Sequence, residues 1–187
     1  MAFLIRNRED IRSGAYALAY LIWINKLERT PEGGSLNKAD DAGFVDTLNT
    51  EIQDELDSGS KNSFQFGNPI KMINSIKKYL PGCTVTLESS NSLFIKYYRR
   101  VLAPIVRQKR LRSLEEGECA ILMVNSIEGG EQTKYILIEG TNNGVNIINS
   151  IDGERKHIDC DMADLMYDGQ YFKYINCQTA IYISRQQ

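Results

Sequence analysis

Ten consecutive apolar residues, Ala15 to Ile24, constrain this chain more than any other feature. Set in the segment Ser13–Leu27, with Tyr16, Leu18, Ala19, Leu21, Ile22 and Trp23 crowded together, they predict a helix buried on most of its sides. Asp10 or Ser13 is placed to cap it. Thr30-Pro31-Glu32-Gly33-Gly34-Ser35 ends it, because proline and paired glycines do not continue a helix. Ten residues are too few to span a bilayer, so the run asks for a protein core. With 187 residues the chain is long enough to supply one without disulfide staples.

Two more helices are expected in the first 80 residues. One starts at Asp40 or Asp41 and carries Phe44, Val45, Leu48, Ile52 and Leu56 on one face. The other runs from Pro69 to Leu80, with proline in its first turn and Ile70, Ile73, Ile76 and Leu80 as its stripe. After Pro81-Gly82 the pattern changes. Cys83–Leu87, Cys119–Val124, Lys134–Glu139, Val145–Asn149 and Thr179–Ser184 read as strands, with turn signals at Gly129-Gly130 and Asn142-Asn143-Gly144. The stretch from Ser89 to Arg112 reads as helical around Phe94–Leu102, and Asp161–Met166 as a short helix. Helices first and a mainly antiparallel sheet after is an α+β layout. We expect one domain over 1–187, with a helical part (1–80) and a sheet part (81–187).

Composition removes several function classes. With 22 basic against 24 acidic residues the net charge is −2, which argues against a nucleic-acid binder. Cys83, Cys119, Cys160 and Cys177 contain no CxxC pair, so no zinc ribbon or redox dithiol is written, and all four read as reduced thiols. One histidine and scattered acids give no metal-ligand spacing, and no cofactor motif is present. MAFLIRNRED lacks the apolar centre of a secretory signal, so the expected location is cytoplasmic, or wherever a specialised secretion system delivers the chain.

Two places could carry chemistry. Ser13-Gly14 stands at the mouth of the apolar helix, where a nucleophile would gain from the positive helix end; a plain capping role is the simpler reading. Lys134 and Asn149 stand at one end of neighbouring strands joined by a short turn. Taken alone, they read as a solvated strand-start lysine and a turn former.

Together these residues resemble the papain-like cysteine peptidases, in particular the compact bacterial type that processes bacteriocins. Ser13-Gly14-Ala15-Tyr16-Ala17-Leu18 is similar to the Cys-Gly motif that opens the family's buried helix, with serine for cysteine. Asn7 stands six residues earlier, where the family has its oxyanion-binding Gln. Lys134 to Gly140 has the spacing of the family's histidine strand, with lysine for histidine. Asn149, followed by Ser150 to Gly153, matches the third catalytic member and its turn.

The resemblance implies a papain-like fold and a hydrolase-type cleft for a peptide or protein, in an effector- or toxin-like bacterial protein. Residue 13 would be the nucleophile, Asn7 would hold the oxyanion, position 134 would hold the base and Asn149 would orient it. Both central residues depart from the pattern. Serine needs a strong neighbouring base, and a lysine serves as one only with its pKa lowered by burial. Hence we expect negligible turnover, either from a pseudo-enzyme or from a serine standing for a cysteine. A working Ser13–Lys134 pair is a third option, and His157 is the alternative base.

The alternative is a non-catalytic module that holds a protein partner through the cleft or a basic face. Residues 96–112 carry seven positive charges, among them Arg99, Arg100, Arg107, Lys109 and Arg110, interleaved with Tyr97 and Tyr98. An acidic protein surface suits such a stretch.

Overall fold

The computed structural model describes residues 12–27, 42–53, 67–89, 106–108, 112–126, 132–148, 155–160 and 174–185. Three helices, α1 (Ser13–Leu27), α2 (Ala42–Ile52) and α3 (Pro69–Tyr79), precede the strands. These are β1 (Cys83–Ser89), β2 (Val106–Gln108), β3 (Cys119–Ser126), β4 (Gln132–Thr141), β5 (Gly144–Ile148), β6 (Arg155–Ile158) and β7 (Tyr174–Arg185). They form a seven-stranded sheet in the order β2-β1-β7-β3-β4-β5-β6. The β1–β2 pair is parallel and the other pairs are antiparallel. The architecture is therefore α+β, with N-terminal helices packed on a mainly antiparallel sheet.

The all-round apolar character of α1 has a direct cause. It packs against β4 and β3 and also against α2 and α3, and Ala15 through Ile22 are all buried. A helix enclosed this way has no polar face to write. α3 is the opposite case, a surface helix. Asn68 caps it by accepting the Ile70 N–H at 2.8 Å, Pro69 follows, and Lys77 and Lys78 sit in its last turn beside the negative helix end.

The sheet is buried on both faces, which explains the near-continuous apolar runs in its central strands. Ile121, Tyr135, Leu137, Ile148, Ile181 and Ile183 face the helices. Ala120, Leu122, Ile136, Ile138, Val145, Ile147, Ala180 and Tyr182 line the back, packed against Leu114 and Cys160. Two differences from the sequence reading stand out. β7 starts five residues before the expected Thr179, and β2, with Arg107 on it, pairs with β1 as a short strand. His157 lies on a strand, β6, as its place beyond the paired strands suggests. The helices expected around Phe94–Leu102 and Asp161–Met166, and the continuation of α2 to Leu56, lie outside the described residues.

Two fixtures hold the segment before β3 against the sheet. The Gly140 N–H donates to the Glu118 carbonyl at 2.8 Å, and a Cβ on Gly140 would stand 2.2 Å from the Glu115 carbonyl oxygen. Beside it, the Arg112 guanidinium forks onto the Glu118 carboxylate at 2.7 and 2.9 Å and lies 4.5 Å over the Tyr182 ring. The Tyr182 hydroxyl accepts the Arg112 N–H at 2.9 Å. The hydrogen bond from Arg112 lowers the Glu118 pKa from the usual 4.5.

Two expectations follow. Gly140→Ala drives a Cβ into backbone and should cost about 2 kcal/mol or more in urea unfolding. A carboxylate whose pKa is depressed by folding contributes stability above its unfolded value and loses it on protonation. Wild type should therefore lose its advantage over Glu118→Gln as pH falls below about 4.5, with a gap of about 1 kcal/mol at neutral pH.

Candidate functional site

Ser13 opens α1 with its side chain completely buried. Its Oγ accepts a hydrogen bond of 3.0 Å from the main-chain N–H of Tyr135, the residue after Lys134. The reason lies in the strand register. The β4–β5 ladder runs from Thr141 to Leu137 on β4 and stops two residues short of Tyr135. The Tyr135 N–H, beyond that ladder, is met by the serine. Helix start and β4 segment thus lie side by side.

Tyr135 secures the same corner with its ring. The side chain is 1% exposed, and its hydroxyl donates to the Gly67 carbonyl at 2.9 Å. Gly67 has φ +126°, and a Cβ there would meet Ile52 Cδ1 at 2.8 Å. The next residue, Asn68, donates its N–H to the Ile52 carbonyl at 2.7 Å. One tyrosine therefore joins the start of α1, the sheet, and the joint between α2 and α3. Sequence reasoning passed over it. The available signal was an aromatic hydroxyl at an inward strand position, which needs a partner once buried.

The remaining sequence candidates are distributed as follows. The Lys134 backbone is in β4, but its side chain lies outside the described residues, as do Asn7 and Asn149. His157 is exposed on β6, with Nδ1 3.0 Å from Asn146 Oδ1. Asn146 Nδ2 donates in turn to Glu139 Oε2 at 2.9 Å, and Arg155 pairs with the same carboxylate. The row Glu139–Asn146–His157 follows the strand register. It stands about 13 Å along β4 from Tyr135, and His157 lies a further two strand spacings, roughly 10 Å, across the sheet. His157 and Ser13 are therefore not brought together. Of the basic stretch, Arg99, Arg100, Lys109 and Arg110 lie outside the described residues, as does the side chain of Arg107. Arg112 is engaged internally by Glu118 and Tyr182.

Chemically, the corner presents a hydroxyl at a positive helix end with a main-chain N–H directed at it. This arrangement favours negative charge on the residue-13 side-chain atom. Among the described residues, no base contacts that hydroxyl and no cluster of three or more His, Cys, Asp or Glu could hold a metal ion. No described helix is long and apolar enough to cross a membrane. No protein-family model matches the sequence, and no curated protein does. Among solved structures, the Pseudomonas avirulence protein AvrPphB is similar at 9% identity, with 97% of each chain covered and a TM-score of 0.36.

Ser13→Ala leaves a buried N–H without its acceptor, which should cost about 1–2 kcal/mol. The accompanying signature is local: hydrogen exchange at the Tyr135 amide should accelerate by about tenfold or more, while the amides of β3 change far less.

Proposed function

We propose that this chain is a catalytically silent relative of the papain-like cysteine peptidases, which holds a peptide or protein rather than cleaving it. On this reading residues 1–187 form one peptidase-like unit of an effector- or toxin-like bacterial protein, acting in the cytoplasm or after delivery by a dedicated secretion machine. The supporting observation is the state of Ser13: fully buried, its hydroxyl engaged by the Tyr135 N–H. An attacking hydroxyl needs access to a carbonyl and a base to take its proton. The start of α1 offers the position, but Ser13 there joins helix to strand. On this reading silence follows from residue type and burial together: among the described residues no base contacts the serine, and a buried hydroxyl meets no substrate.

The test is Ser13→Cys, alkylated with iodoacetamide under native conditions and mapped by peptide mass. A silent, closed corner predicts that the thiol introduced at position 13 reacts about a hundredfold more slowly than the part-exposed Cys160. An introduced thiol that outpaces Cys160 would be an accessible, activated thiolate, and the cleft would then be catalytic.

A further inference from the structure

At the tip of the β4–β5 hairpin, about 20 Å along β4 from Tyr135, lies a cavity of about 300 Å³. Leu114 and Val145, both of the back-face core, form its apolar wall. Its polar groups are the Thr141 hydroxyl, the Asn142 and Asn143 amides and the Asp159 carboxylate; the Cys160 thiol completes the lining. Thr141 Oγ1 is buried with no hydrogen-bond partner among the described residues. The wall is fixed by close approach. Gly144 has φ +137°, and a Cβ there would stand 2.2 Å from the Ile158 carbonyl oxygen, so the Asp159–Cys160 bend presses against the hairpin turn.

The lining selects among ligands. Among the described residues it holds one carboxylate, several neutral oxygens and no Lys, Arg or His, so an anion would meet no positive charge and a like charge on Asp159. One carboxylate and one thiol are too few ligands for a metal site, and the described residues hold no group of three or more. A wholly apolar guest would leave the amides and the orphan hydroxyl without partners. What remains is a cation on an apolar stem, with the head on Asp159 and the asparagine oxygens and the methylenes against Leu114 and Val145. The geometry points to a subsite for an arginine or lysine side chain of a bound peptide. The volume sits at the small end of ligand pockets and suits one long side chain. The inference adds a site to the binding role proposed above and stands apart from residue 13, so either can fail alone.

The test is a titration of the ¹⁵N-labelled protein at 0.15 M salt (about physiological ionic strength) with three blocked tripeptides, Gly-Arg-Gly, Gly-Lys-Gly and Gly-citrulline-Gly. The side-chain amides of Asn142 and Asn143 provide the signal. At least one cationic peptide should shift both amides saturably, and the stronger arm identifies the head group. The citrulline peptide should bind at least about tenfold more weakly, and Asp159→Asn, an exposed position, should weaken the cationic peptide about as much. Asp46→Asn, on α2, should leave binding unchanged. The proposal is overturned if neither cationic peptide moves the two amides, if citrulline binds equally well, if Asp159→Asn has no effect, or if Asp46→Asn weakens binding as much.

Discussion

Tyr135 is the contact on which the rest of this structure depends. Its N–H holds the first residue of α1, its ring fills the core between helices and sheet, and its hydroxyl holds the carbonyl of Gly67. Each bond satisfies a buried backbone group that would otherwise cost about 1–3 kcal/mol. The three attachments belong to segments far apart in sequence, residues 13, 67 and 135, so the tyrosine converts separate elements into one packed unit. Gly67 fits this role because its positive φ turns the chain into α3, and its missing side chain lets Ile52 close the gap.

This arrangement explains why α1 is so apolar. A helix with sheet beneath it and two helices above must bury every face, and its polar ends must be satisfied by neighbours. Ser13 meets the strand at one end. At the other, Asn25 is buried and donates to the Leu21 carbonyl at 2.8 Å, a turn back in the same helix. Between them the aromatic side chains form a run from Tyr16 through Tyr20 and Trp23 to Phe44 and Tyr79, with ring centroids 5.6–6.4 Å apart. That run stitches α1 to α2 and α3 by edge and tilted contacts.

Much of this was legible in the sequence because local chemistry dictated it. The limits of α1, Ser13 and Leu27, follow from the apolar run and its breakers, and Pro69 announces α3. The apolar segments at 119–124 and 134–139 are strands because their alternate residues serve two cores. What was not legible depends on long-range pairing. β2 is three residues long and has meaning only beside β1. The early residues of β7, from Tyr174, pair with the end of β3 across a register shift. The polar row Glu139–Asn146–His157 arises from register between three strands. For the same reason, sequence spacing can suggest that Ser13 and the Lys134 segment meet, but not that Tyr135 takes the hydroxyl.

The distinction between a nucleophile and a staple at residue 13 is one of free energy. Opening the corner would expose Tyr135, at about 2 kcal/mol for a large apolar side chain. It would also separate Ser13 from the Tyr135 N–H and the tyrosine hydroxyl from Gly67, each about 1–1.5 kcal/mol net. The sum, about 4–5 kcal/mol, leaves on the order of one molecule in a thousand to several thousand open. A catalytic residue held at that population loses the same factor in rate before any chemistry begins. Among the described residues no base contacts the hydroxyl to offset that factor. The same bond that fastens helix to sheet therefore also keeps the residue-13 hydroxyl inside the core.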